Sequence, residues 1–169
     1  MLLDGVGSDL LADAVVPGLR EAGRLPLRVR SQDFWRPAGT RFEHGREDEQ
    51  SFRHDWVDAE ALQREVLGRT DDYLPALWDA GQDRSARRAR EPLPPGSVLL
   101  VDGVLLLGRG LSADLVVHLA LSPAALLRRG TPAWQVPAFA AYDQDAQPGR
   151  VCDVLVRAED PVRPAVLVR

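Results

Sequence analysis

The chain has 169 residues, 45% hydrophobic and 27% charged, a balance that fits one globular domain over residues 1–169 and excludes a disordered chain. A net charge of −4 leaves no broad basic footprint for nucleic acid or anionic lipid, and no apolar run approaches the ~20 residues that span a bilayer. The single cysteine, Cys152, excludes an internal disulfide framework and a cysteine-rich zinc site; with no secretory-signal plan at the N-terminus, the expected compartment is the cytoplasm. All 21 basic residues are arginine, so no mechanism here can use a lysine.

Met1 to Val6 is a short apolar stretch running into Asp-Gly, the pattern of a buried strand followed by a turn. Leu10 to Ala22 has Leu10, Leu11, Ala14, Val15 and Leu19 at helical spacing, with Gly23 as a stop and Pro17 expected to kink or split the helix. Leu25 to Val29 suits a second strand. Residues 38–54 are polar and rich in Gly, Arg and Glu, and are expected to form a loop. Asp58 to Leu67 is predicted helical, and residues 70–96 an exposed connection ending in Pro92-Leu93-Pro94-Pro95-Gly96. Four apolar residues from Val98 to Val101, before Asp102-Gly103, predict a central strand covered on both faces. Asp114 to Leu121 and Val151 to Val156 read as further strands, and Ser122-Pro123 starts a short helix by cap and first-turn logic. Strands alternating with helices predict an α/β fold, with a mostly parallel central sheet and helices on both faces.

Four stretches carry a resemblance. They are Leu3-Asp4-Gly5-Val6; Gln32-Asp33-Phe34-Trp35-Arg36-Pro37 with Arg41, Gly45 and Arg46; Leu99-Leu100-Val101-Asp102-Gly103-Val104; and Cys152-Asp153-Val154 through Asp160-Pro161 and Pro164. In this order the set resembles the uridine kinase family, among its short, Arg- and Pro-rich bacterial members. The resemblance implies a P-loop NTPase-like three-layer sandwich that transfers the γ-phosphate of ATP to the 5′-hydroxyl of a nucleoside. It implies ATP and Mg²⁺ as cofactors if the protein is active and none otherwise, with a small-molecule nucleoside or nucleotide as partner. Neither nucleic acid nor membrane is expected, and self-association is left open.

The phosphate loop departs from that pattern. A working loop reads G-x-x-x-x-G-K-[ST], in which amides wrap the phosphates, the lysine contacts their oxygens and the hydroxyl holds Mg²⁺. Residues 4–11 read Asp4-Gly5-Val6-Gly7-Ser8-Asp9-Leu10-Leu11, about four residues short, with no Gly-Lys-Ser/Thr end. Gly5, Gly7 and Ser8 are what remains to meet phosphate. The family's proton acceptor aligns with Gln32, which cannot act as a base, so Asp33, one residue on, takes that role, with a solvated or capping carboxylate as the alternative. Asp102 stands where a strand-end carboxylate holds Mg²⁺, weakly in the absence of a loop hydroxyl.

The remaining site residues follow from the same resemblance. Asp55 matches the ribose-binding position, although it could instead cap the next helix, a job for which Asp58 is better placed. Trp35, Arg36 and Arg41 belong to the nucleoside side, where Phe34, Trp35, Phe52 and Trp56 either stack on a base or form core. Arg128 and Arg129 are what is left of an arginine-bearing lid, cut short over about 128–136 by Gly130-Thr131-Pro132. Asp160-Pro161 matches the segment beside the adenine. His44, His54 and His118 lack metal-ligand spacing, and His118 is expected in the core. Three functions follow: a divergent nucleoside kinase with weak or lost activity, a non-catalytic nucleotide- or protein-binding member, and, least favoured, a nucleotide hydrolase.

Overall fold

The computed structural model describes residues 1–160 and 163–169. Strand β1 (Leu2–Asp4) is three residues long and wholly buried. It turns into helix α1 (Ser8–Glu21), and β2 (Leu25–Arg30) follows, ending in a 3-10 turn over Ser31–Phe34. Then come the short helices α2 (Ala38–Arg41), α3 (Glu49–His54) and α4 (Ala59–Leu62), the last widening into a π-helical turn over Gln63–Leu67. Strands β3 (Asp72–Tyr73), β4 (Trp78–Asp79), β5 (Arg84–Ser85) and β6 (Glu91–Pro92) form two small antiparallel ribbons, β3 with β6 and β4 with β5. The chain continues through β7 (Ser97–Gly103), β8 (Val116–Ala120), α5 (Pro123–Arg128), α6 (Val136–Asp145), α7 (Pro148–Val151), β9 (Val154–Arg157) and β10 (Ala165–Val168).

The main sheet has the order β10-β9-β8-β1-β7-β2. Its first five strands in chain order, β1, β2, β7, β8 and β9, run parallel, and β10 closes one edge antiparallel to β9. Leu2 pairs with Val101 and Val116, and Asp4 pairs with Gly103 and His118. Connections leave β1 first towards β2 and β7, then cross to β8 and β9. The strand order therefore reverses at β1, and a crevice opens outside its carboxyl end, where open α/β sheets take their ligands.

Alternation along β1 sets the two faces. Leu2 joins the larger core with Val29, Phe34, Leu62, Val101 and Leu106, while Leu3 faces the other way with Ala12 and Val117. Burying each of these leucines contributes about 1.5–3 kcal/mol, so the shortest strand of the main sheet is among the most tightly anchored. Helix α1 covers one face through Ala12 and Leu11; α3, α4 and α6 cover the other through Phe52, Leu62 and Ala138.

Several elements differ from expectation. Helix α1 runs unbroken through Pro17, which is exposed, so the carbonyl that loses its amide partner there lies towards water. Residues 38–54, expected as a loop, carry α2 and α3; α3 is capped by the Asp48 carboxylate, which accepts from the Ser51 amide at 2.7 Å, and it buries Phe52. The connection over 70–96 holds both ribbons, whose two-residue strands are too short for any alternation to show. Asp58 does cap its helix, accepting from the Ala61 amide at 2.9 Å, but only four residues stay α-helical before the π turn. Among the described residues, no helix is long and apolar enough to cross a membrane.

Candidate functional site

Only Gly5, Val6 and Gly7 separate β1 from α1. The Gly5 amide donates to the Gly103 carbonyl at 2.9 Å, the Ser8 amide donates to the Gly5 carbonyl at 3.1 Å, and the Ser8 hydroxyl donates to the Gly103 carbonyl at 3.0 Å. Gly5 has φ +114°, and a Cβ there would lie 2.5 Å from the Leu119 carbonyl oxygen. Gly7 has φ +94°, and a Cβ there would lie 3.1 Å from Nη1 of Arg129. Both positions thus require glycine, one for conformation and close approach, the other for conformation beside a guanidinium. The turn is collapsed onto the sheet edge, with two amides and its one hydroxyl bonded internally.

Beside this turn lies an ion-pair cluster built on Arg28 of β2. Its Nε donates to Oδ1 of Asp102 at 2.7 Å and its Nη2 to Oδ2 at 3.2 Å, so one guanidinium grips both oxygens of the strand-end carboxylate. Arg28 also bonds the Asp13 carboxylate at 2.5 Å and the Asp9 carbonyl at 3.2 Å, both on α1. Asp102 is buried, and the hydrogen bond that Arg28 donates to it is the main reason the Arg28 guanidinium is held above its usual pKa, against the cost of burial. Among the described residues no group of three or more His, Cys, Asp or Glu side chains is arranged to hold a metal ion.

Two clefts meet at this cluster. One, of about 410 Å³, is lined by the turn from Gly5 to Asp9 together with Arg28, Arg30, Gln32, Trp35 and Asp102. The other, of about 760 Å³, lies between the 3-10 turn after β2 and the β4–β5 ribbon, and Asp33, Trp78, Asp79 and Arg88 line it. Arg28, Gln32 and Trp35 border both. Burial pushes the Asp33 carboxyl above its ordinary pKa; Arg30 opposes this, while the negative charges of Asp102 and Asp79 add to it.

The other expected site residues are dispersed. Arg129 reaches the turn after β1: its Nη2 donates to the Ala158 carbonyl at 2.5 Å while Nη1 lies beside Gly7. Arg128 points elsewhere, largely exposed and 3.8 Å from Glu159. Asp55 caps the C-terminus of α3 and lines neither of the two clefts. Its charge and those of Arg36 and Asp58 bear on Arg109, whose guanidinium donates to the His54 and Val57 carbonyls at 2.8 Å and is held below its usual pKa chiefly by burial. Arg41 is buried, donates to the Arg36 carbonyl at 2.7 Å and packs its guanidinium 5.2 Å from the centre of Trp35 and 5.5 Å from that of Trp56. Phe52 and Trp56 are core, in edge contact at 5.0 Å, and Phe34 is fully buried. Asp160 follows β9 in a bend, its carbonyl accepting from the Arg163 amide; Pro161 lies outside the described residues.

Beneath the turn, Asp4 is fully buried with every oxygen engaged. Oδ1 accepts from the Leu106 amide at 2.9 Å, while Oδ2 meets Nδ1 of His118 at 2.7 Å and the Tyr142 hydroxyl at 2.8 Å. His118 is thus a core residue. The importance of Arg28, Trp78, Asp79, Arg109 and Tyr142 did not emerge from the sequence. Arg28 alone left a signal, a charge between Leu27 and Val29 in an otherwise apolar strand.

A tight glycine turn at the carboxyl end of β1, with the order of a mostly parallel sheet reversing around it, matches the α/β fold of the P-loop kinases. The solved structures bear this out. The possible uridine kinase of Bacillus stearothermophilus aligns over 91% of this chain and 85% of that one, with 21% identity and a TM-score of 0.73. A candidate fructose transport system kinase from Silicibacter sp. TM1040 aligns over 88% and 80%, with 20% identity and a TM-score of 0.58. Phosphoribulokinase from Rhodobacter spheroides aligns over 92% and 68%, with 13% identity and a TM-score of 0.55. At such identities the likeness is one of fold. No protein-family model and no curated protein matches the chain.

Proposed function

We propose that this protein is a nucleoside-kinase-like nucleotide-binding protein, derived from enzymes that phosphorylate a nucleoside 5′-hydroxyl with ATP, in which the kinase activity is weak or lost. The observation that carries this reading is the pair of adjoining clefts. The larger keeps an acceptor-type carboxylate, Asp33, beside two indoles, Trp35 and Trp78, while the smaller has lost the means of holding a triphosphate.

On the acceptor side the chemistry is retained. A carboxylate with a raised pKa is a better proton acceptor than an ordinary one, and Asp33 can serve a ribose hydroxyl placed in the groove. Indole faces suit a flat heterocycle, and Arg88 and Asp79 supply polar contacts at the rim.

ATP and Mg²⁺, the cofactors of the fold's kinases, do not fit the phosphate side. The Ser8 hydroxyl is bonded to a carbonyl, Asp102 is bonded through both oxygens to Arg28, and no lysine exists in the chain. These facts favour a non-catalytic member that binds a nucleoside or nucleotide in the larger groove over a divergent kinase.

The experiment is a thermal shift and transfer assay with uridine and cytidine. A nucleoside is expected to raise the melting temperature, with label transfer from ATP slow or at background. Rapid transfer would restore the reading of an active kinase, and the absence of any shift with nucleosides or nucleotides would sink the small-molecule reading.

A further inference from the structure

Resting on that reading, the geometry points to a narrower ligand class: the site takes an unphosphorylated nucleoside without a divalent cation, because Arg28 is a built-in cation that satisfies the metal-binding carboxylate and closes the triphosphate side.

Three observations converge. First, Arg28 neutralises Asp102 with a two-pronged grip inside a partly buried site, where such a pair is strong and engages both carboxylate oxygens. A second carboxylate, Asp13, and the Asp9 carbonyl hold the same guanidinium from the α1 side. The cation is therefore fixed by groups on two elements and is already balanced by two negative charges. Second, the amides a triphosphate would need are diverted: those of Gly5 and Ser8 bond within the sheet edge and the turn. Third, Arg129 lies against Gly7 and is bonded to Ala158, so a side chain from the lid remnant already occupies one side of the turn.

A triphosphate entering this cleft would bring about four negative charges, and would meet the carboxylates of Asp9, Asp13 and Asp102 set against Arg28, already paired, and Arg30. A neutral nucleoside carries no such charge. The larger groove offers it Asp33 for hydroxyls and Trp35 and Trp78 for the base, and nothing there calls for a metal.

The test is calorimetric titration of the whole protein with uridine, cytidine, uridine monophosphate and ATP, each with Mg²⁺ and with EDTA. The expected result is binding of a nucleoside whose Kd changes by less than about twofold between the two conditions, with ATP binding absent in both. Nucleoside binding that requires Mg²⁺, or ATP binding that appears with Mg²⁺, overturns this inference and leaves the nucleoside-kinase-like reading standing. Binding of none of the four ligands overturns both. Arg28→Gln, which keeps one neutral donor for Asp102, is expected to gain a Mg²⁺-dependent melting shift that the wild type lacks. Since that variant leaves a buried carboxylate less well paired, the charge-neutral pair R28Q with D102N serves as a folding control. It should melt as a folded protein and show no Mg²⁺ response. A Mg²⁺ shift of equal size in wild type and Arg28→Gln would show that Arg28 does not block the metal.

Discussion

Tyr142 donates its phenolic hydrogen to Oδ2 of Asp4 across 2.8 Å, and the same oxygen of Tyr142 accepts the Leu107 amide at 2.8 Å. Asp4 directly precedes the turn from Gly5 to Gly7, so this contact ties α6 to the root of the candidate site. Tyr142→Phe leaves the Leu107 amide without its acceptor and removes one of Asp4's donors, and should cost about 1–3 kcal/mol in urea unfolding. Asp4→Ala strips the buried His118, Tyr142 and Leu106 groups of their shared acceptor and should cost more, about 3–5 kcal/mol. Equal costs for the two variants would mean that Asp4 is not the hub of the network.

The two kinds of glycine in this region make a matched pair of tests. Gly5→Ala forces a side chain at φ +114° against the Leu119 carbonyl and should destabilise by at least about 1–3 kcal/mol. Gly18 lies inside α1 with open space where a Cβ would go, so Gly18→Ala should stabilise by roughly 0.5–1 kcal/mol. Thermal melts of both variants decide the matter, and a tolerated Gly5→Ala would show that the turn is not collapsed against β8 in solution.

Asp33 sets stability against function. Burial first, then the charges of Asp102 and Asp79, raise its pKa above 3.8, with Arg30 opposing. A raised carboxylate pKa means that the folded state holds the proton more tightly than the unfolded one. Its stabilising contribution is present below the ordinary value and is lost as pH rises through the raised one. At neutral pH the ionised Asp33 is therefore a cost. Asp33→Asn should raise the melting temperature at pH 7, and the gain should vanish towards pH 3. Any residual phosphate transfer should fall to background in the same variant. A lower melting temperature at pH 7 would show instead that Asp33 is a structural anchor.

The parts of this fold that the sequence made legible are those whose signal is local. Val98–Val101 reads as a central strand because four apolar residues in a row need cover on both faces, and Ser122-Pro123 reads as a helix start because cap and first-turn chemistry are written in adjacent residues. The ribbons over 72–92 were illegible: two-residue strands have no period, and only their pairing across distant residues defines them. The site divides in the same way. The shortened loop at Asp4–Asp9 is visible as missing residues. The Arg28–Asp102 pair joins side chains 74 positions apart, and whether Asp102 faces a metal or an arginine depends on which strand lies beside β7. Asp55 illustrates the converse: a matching residue type at a matching position stands at a helix end, away from both clefts described above.

Installing a complete phosphate loop tests how the proposed losses combine. Replacing Val6–Asp9 with a segment that completes Gly-x-x-x-x-Gly-Lys-Ser supplies the amides, the lysine and the hydroxyl, yet leaves Asp102 bonded to Arg28 and Arg129 lying across the turn. ATP with Mg²⁺ is therefore expected to leave the melting temperature of the loop variant unchanged. Adding Arg28→Gln removes the cation and its two-pronged grip on Asp102 at the point where the new hydroxyl arrives, and the combined variant should show an ATP shift that disappears in EDTA. The two changes act on one cluster, so their effects should be strongly non-additive, with neither change sufficient alone. A full ATP response from the loop replacement by itself would show that the Arg28–Asp102 pair opens readily and that the missing residues were the whole of the defect.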